Sequence, residues 1–189
     1  NGSLEDHFKE EDKQTTFEEI DKYILARLEE VKNKVIKNMD EYNFISAASE
    51  IMKFMSDDLS SFYLDIAKDI LYCESKTSTR RLQVQTVLNE LAFTLMRLLN
   101  PIIPFTMDEV NQNYPLKSKE NVMYYEYPKV SHDFDENILK EYKEIKALRD
   151  EVLKALEESR TSGLIGSAQD AEIEITLLNE NIKNIVNKY

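Results

Sequence analysis

The sequence has no tryptophan, one cysteine, two histidines, three glycines and four prolines among its 189 residues. Each shortage removes a class. Cys73 alone cannot form an intrachain disulfide, so a reducing cytoplasm is the expected location. His7, His132 and Cys73 are too few and too widely spaced for a zinc set of any usual kind. So few glycines and prolines argue against a turn-rich β fold and for helices. No apolar run approaches the ~20 residues of a membrane span, and no secretory pattern opens the chain. The GxGxxG, GxxxxGK[ST] and HExxH patterns are also missing. The carboxylate pairs Asp57-Asp58 and Asp65/Asp69 read as solvated helix faces, so no catalytic centre is expected.

What is present is charge, and most of it is negative. The net charge of −12 argues against a broad nucleic-acid surface, because neutralising phosphate takes Lys and Arg. The distribution is uneven, however. Residues 1–30 carry ten acids and four bases, whereas residues 73–104 carry four bases and two acids. A local basic patch in the second stretch remains compatible with RNA.

Apolar spacing predicts long helices. Residues 1–14 are polar and aperiodic and read as a flexible arm, with Asn1-Gly2-Ser3 resembling a cloning remnant. Thr16 and Glu19 form a capping-box pattern ahead of an apolar stripe through Ile24, Leu28, Val31, Val35 and Tyr42. A second stripe, Phe44, Ala48, Ile51, Met55, Leu59, Phe62, Ile66 and Ile70, predicts one unbroken α-helix over about 44–72. A third, with Val84, Val87, Leu91, Leu95 and Leu98, follows Ser78 and stops at Asn100-Pro101. Thr106 with Glu109 suggests another capping box, Val122–Tyr127 looks strand-like, and a charged helix is expected from Asp135 to about Arg160. Gly163 and Gly166 suit a helix end and a turn. Ala171, Ile173, Ile175 and Leu177 then alternate with polar residues, which predicts a strand before a final short helix.

Ile20 to Leu28, Asp58 to Tyr72, Arg80 and Arg81 with Gln85, Asn100 to Glu109 and Arg149 to Ala168 together resemble the anticodon-binding domain of class I aminoacyl-tRNA synthetases. Ile20-Asp21-Lys22-Tyr23-Ile24-Leu25-Ala26-Arg27-Leu28 is similar to its opening in the Ile, Val and Leu enzymes. Asp58 to Tyr72, DLSSFYLDIAKDILY, resembles the isoleucyl branch, whose pattern reads DLSxxYLDxxKDRLY. Arg80, Arg81 and Gln85 match RRxxxQ, and Asn100 to Glu109, NPIIPFTMDE, resembles (A/N)PxxPFTxDE. The stretch from Arg149 to Ala168 resembles the exit from the bundle. The order is the family's order over about residues 16–178. The chain departs from it at Ile70, where the family often has Arg, and at Phe62 and Asn111, where it often has Trp.

The resemblance implies a mainly α, antiparallel helical bundle over 15–162, followed at 163–189 by the start of a truncated α/β subdomain. It implies a fragment of an isoleucine-specific synthetase that binds the anticodon stem-loop of its tRNA, with the remaining domains as partners in cis. The family's HIGH and KMSKS signatures and its cysteine cluster are missing, so ATP and zinc are expected only for the full-length enzyme, and no catalysis from this segment. A monomer off the membrane is expected. A valyl or leucyl relative and a helical interaction module without RNA are the competing readings.

The candidate tRNA contacts are Arg80, Arg81, Lys68, Lys76, Tyr72 and Arg27. Two guanidiniums at a helix start combine charge with backbone N–H donors, which suits phosphate. Lys68 and Lys76 flank the same loop, and Tyr72 could stack on an unpaired base or pack at the rim. Arg27 matches a family position that faces the anticodon side in some relatives.

Overall fold

The computed structural model describes residues 17–167, 171–177 and 180–188. The chain divides into two compact units, residues 1–134 and 135–189.

The first unit begins with α1 (Glu19–Asp40). Thr16 of the expected capping box lies outside the described residues. Ile24, Leu28, Val31 and Val35 are buried along one face, as their spacing predicts. The chain reverses at Tyr42, the one described non-glycine residue in the left-handed region (φ 57°). Asn43 then caps α2 (Phe44–Lys53) through its side chain. Tyr42 and Phe44 stay exposed at this corner rather than extending the stripes.

The helix that follows is continuous but not uniformly α. Phe54–Tyr63 winds as a π-helix between α2 and α3 (Leu64–Cys73). Its i→i+5 geometry shifts the inward face by one residue. Phe54, Asp58, Phe62, Tyr63 and Ala67 are buried, whereas Met55 and Ile66 of the predicted stripe are 37% and 39% exposed. The physical reason is local. Asp58 and Tyr63, five residues apart, both reach α1, and an α-helix would set them about 140° apart.

Helix α4 (Thr79–Leu99) supplies the third long side of the bundle, burying Val84, Val87, Leu91, Leu95 and Leu98. Since α2 to α3 returns antiparallel to α1, the N-termini of α1 and α4 meet at one end. Helix α5 (Pro104–Asn113) begins with Pro at its first turn, so Thr106 falls inside it and the second capping box does not form. Met96, Met107 and Val122 make a small core beneath α5, with Phe93, Leu99 and Tyr125 around it. The strand-like stretch at 122–127 is instead a 3₁₀ turn at Val122–Tyr124, followed by irregular chain. Asn111, fully buried, donates from Nδ2 to the carbonyls of Lys119 and Glu120 (3.2 and 3.4 Å).

The second unit is built on α6 (Glu136–Thr161), capped by Asp135, with Ile138 and Tyr142 buried. Gly163 (φ 75°) ends it: its N–H donates to Arg160 O and that of Leu164 to Ser159 O, closing the terminal carbonyls. Helix α7 (Glu180–Val186) packs on α6, and Lys188 bridges to Glu141 at 2.7 Å. The predicted strand at 171–177 does not form. The segment carries no regular structure, and no strand exists among the described residues to share its backbone hydrogen bonds. Its Ala171 and Ile173 line, with Val152, Leu156 and Leu164, a groove of about 440 Å³. The expected boundary at 162–163 falls inside this unit.

Candidate nucleic-acid interface

The end of the bundle where α1 and α4 begin and α3 finishes brings five of the six sequence candidates together. The Glu74–Ser78 connection joins α3 to α4 there. Tyr72 is 73% exposed, and Lys76 and Cys73 are exposed beside it. Lys68, one turn back on α3, is exposed and paired with Asp65 (2.6 Å). That hydrogen bond and charge raise the Lys68 pKa. Tyr72 therefore faces solvent rather than the rim of the core.

Arg80 and Arg81 differ sharply from these. Arg80 is bidentate to Asp21 and also meets Glu18 at 3.1 Å. Burial lowers its pKa, but the bonds to Asp21 and the charge of Glu18 outweigh that, and the net shift is upward. Its main partner is thus Asp21 on α1. Arg81 is 5% exposed. Among the described residues its guanidinium makes one long hydrogen bond, from Nη1 to Glu74 O (3.4 Å), and its Nε has no partner.

Arg27 lies about two turns along α1 in a second ionic group. It donates to Asp58 (2.9 Å) and Glu30 (2.5 Å). Desolvation pulls its pKa down, and these two carboxylates more than reverse the effect.

Sequence reasoning missed the hydrogen bonds that tie these groups together. Tyr63 Oη donates to Asp21 (2.7 Å), and Tyr23 Oη donates to Asp58 (2.8 Å). The exchange is reciprocal: α1 offers an acid and a phenol, and the π-helix answers with a phenol and an acid. Burial, then the facing carboxylate, pushes both phenols far above their ordinary pKa. Asp58 is 5% exposed, so it is not the solvated carboxylate expected from the Asp57-Asp58 pair. The signal was available, since Asp21, Tyr23, Asp58 and Tyr63 all lie in the motifs that carried the resemblance. Phe62, edge-on to Tyr23 at 5.9 Å, and Asn111 both serve packing. Lys32 is 9% exposed and bonded to Glu29.

Chemically, this end offers an exposed phenol, two exposed ammonium groups and a buried guanidinium, beside a neutralised Arg–Asp pair. Among the described residues no group of His, Cys, Asp and Glu could hold a metal ion. Such a set suits recognition of a polyanion with exposed bases.

Comparison with known proteins decides the family. Residues 21–175 match the model described as the anticodon-binding domain of tRNA ligase. The chain belongs to that family. Its relatives include isoleucine–tRNA ligases of Fervidobacterium nodosum, 39% identical over 90% of this chain, and of Oceanobacillus iheyensis, 38% identical over 93%. That of Thermotoga neapolitana is 36% identical over the whole chain. The chain spans only about a fifth of each relative's length (19–21%). As an anticodon-binding domain it is a tRNA-binding module, and its helical fold is the one the resemblance implied. The matched stretch starts at Asp21, the acid that holds Tyr63 and Arg80.

Proposed function

We propose that this anticodon-binding domain serves an isoleucine-specific tRNA ligase, and that the end of its bundle around Tyr72 and the Glu74–Ser78 connection receives the anticodon arm. The observation that carries the specificity is the 36–39% identity, across nearly the whole chain, to proteins named isoleucine–tRNA ligase. In this reading Tyr72 stacks on an unpaired base, and Lys68 and Lys76 neutralise phosphates. Arg80 and Arg27 act one step removed, Arg80 holding the start of α4 to α1 through Asp21 and Arg27 holding the π-helix to α1 through Asp58. Arg81 meets phosphate from beneath the connection. The domain works as a monomeric unit in the cytoplasm, in cis with the rest of the ligase. ATP and zinc belong to the other parts of that enzyme, and the segment alone is not catalytic.

The test is a binding titration with an isoleucine-tRNA anticodon stem-loop, with valine and leucine stem-loops as competitors. The Lys68→Glu/Lys76→Glu variant is preferable to reversing Arg80, because an acid at 80 would face Asp21 and Glu18 and unfold the end under test. The expected result is weaker binding and a salt slope shallower by about two. Equal affinity for all three stem-loops would remove the isoleucine assignment. An unchanged slope would remove this surface.

A further inference from the structure

Arg81 poses a physical problem that the fold does not solve. An arginine side chain keeps its charge at every physiological pH. The residue is 95% buried, yet among the described residues no carboxylate forms an ion pair with it. Among those residues its Nε–H has no acceptor, and the one acceptor of its guanidinium, the Glu74 carbonyl, is neutral and 3.4 Å away. Its neighbour Arg80 meets two carboxylates. A buried cation without a counter-charge is costly, and Arg81 also sits in the first turn of α4, where the helix dipole disfavours positive charge.

The same turn has donors to spare. Helix α4 is 21 residues long, and its cap residue Ser78 contributes no side-chain hydrogen bond. The first helical bond runs from Leu82 N to Ser78 O, so the N–H groups of Thr79, Arg80 and Arg81 precede the regular ladder. One anion at this point would accept from those amides, complement the dipole and neutralise Arg81.

We propose that Arg81 and the first turn of α4 form a phosphate-binding site covered by the Glu74–Ser78 connection, and that a backbone phosphate of the anticodon arm takes the place of the Glu74 carbonyl on the guanidinium. The proposal rests on the anticodon-arm reading and deepens it. Tyr72 and Lys76 make the exposed first contact, and the connection lifts so that Arg81 closes on the phosphate behind them. Recognition at this end then includes a conformational step rather than rigid docking.

The test follows the arginine Nε–H resonances of the isotopically labelled 189-residue chain, titrated with inorganic phosphate and separately with the isoleucine-tRNA anticodon stem-loop. The Arg81 signal is assigned by its loss in Arg81→Lys. Arg97 Nε, already bonded to Phe93 O at 3.2 Å, serves as the internal control. Arg81 Nε–H is expected to shift with both titrants, saturating with the stem-loop in step with the Tyr72 and Lys76 amides, while Arg97 stays in place. Arg81→Lys, which keeps the charge and loses the fork, is expected to bind the stem-loop about tenfold more weakly. If Tyr72 and Lys76 respond while Arg81 does not, the phosphate site is wrong and the anticodon-arm reading stands. If the stem-loop moves no resonance at all, both fall. Because the decisive signal is read on the unsubstituted chain, a poorly folded variant cannot rescue the proposal.

Discussion

Tyr63 and Asp21 lie 42 residues apart in sequence and 2.7 Å apart across the bundle, the phenol donating to a carboxylate with no exposed surface. Asp21 also anchors Arg80, so one side chain on α1 holds both the π-helix and the start of α4. The end proposed to receive RNA is therefore built on a buried acid.

Removing the phenol should show this directly. Tyr63→Phe deletes a buried hydrogen bond to a charged acceptor, worth about 1.5–3 kcal/mol. Asp21→Ala should cost more, about 3–5 kcal/mol, since it also removes the buried bidentate partner of Arg80 and leaves it only the exposed Glu18. Urea unfolding measures both, and equal losses would mean that Asp21 and Arg80 contribute nothing beyond the phenol contact.

Alkaline pH offers a second reading of the same network. Burial and the facing carboxylates raise the pKa of Tyr23 and Tyr63 in the fold, and burial, then Glu90, pushes Tyr114 up to about 12. A raised folded pKa gives stability that is complete below the unfolded value and declines once the unfolded phenols ionise. Stability should thus begin to fall near pH ~10, at about 1.4 kcal/mol per pH unit for each phenol. Unfolding midpoints measured from about pH 8 to 11, a range bracketing the unfolded phenol value, test this. The Tyr23→Phe/Tyr63→Phe variant should flatten the decline.

Gly163 isolates a backbone effect. A Cβ there would meet nothing within 4 Å, but φ is +75°. Gly163→Ala should cost about 1 kcal/mol through conformation alone. Thermal unfolding should report a small loss, and no loss would mean that the end of α6 relaxes out of the left-handed turn.

Asn111 tests the chain beneath α5. Asn111→Leu removes both N–H donors to the Lys119 and Glu120 carbonyls and also the buried Oδ1, which has no hydrogen-bond partner among the described residues. The expected effect is a loss of about 1–2 kcal/mol with faster amide exchange at 117–122. Protection unchanged at these amides would show that Asn111 does not hold the loop.

Tyr72 separates recognition from folding. At 73% exposure it contributes little to the core, so Tyr72→Ala should leave the unfolding midpoint in place. Stem-loop affinity should drop about tenfold through lost stacking. A midpoint shift without an affinity change would reverse the assignment.

Much of the fold is legible in the chain's residue pattern alone. Periodicity in steps of three and four locates α1, α4 and α6, because a helix that buries one side must repeat its apolar residues at that interval. Asp135 is readable as a helix start, and Gly163 as a helix end, since capping is local chemistry. The ordered motifs point to the family for the same reason: they need only the chain. Tertiary structure decided the rest. The π-helical register at 54–63 depends on Asp58 and Tyr63 finding Tyr23 and Asp21 on another helix, which no periodicity encodes. Likewise a strand pattern at 171–177 becomes a strand only where a partner shares its hydrogen bonds, and none does among the described residues. Arg80 and Arg81 look equivalent in sequence, yet one meets Asp21 and Glu18 while the other is buried beside a single carbonyl. Residue identity determined that this end carries two guanidiniums, and only the packing of three helix ends determined which of them meets a carboxylate among the described residues.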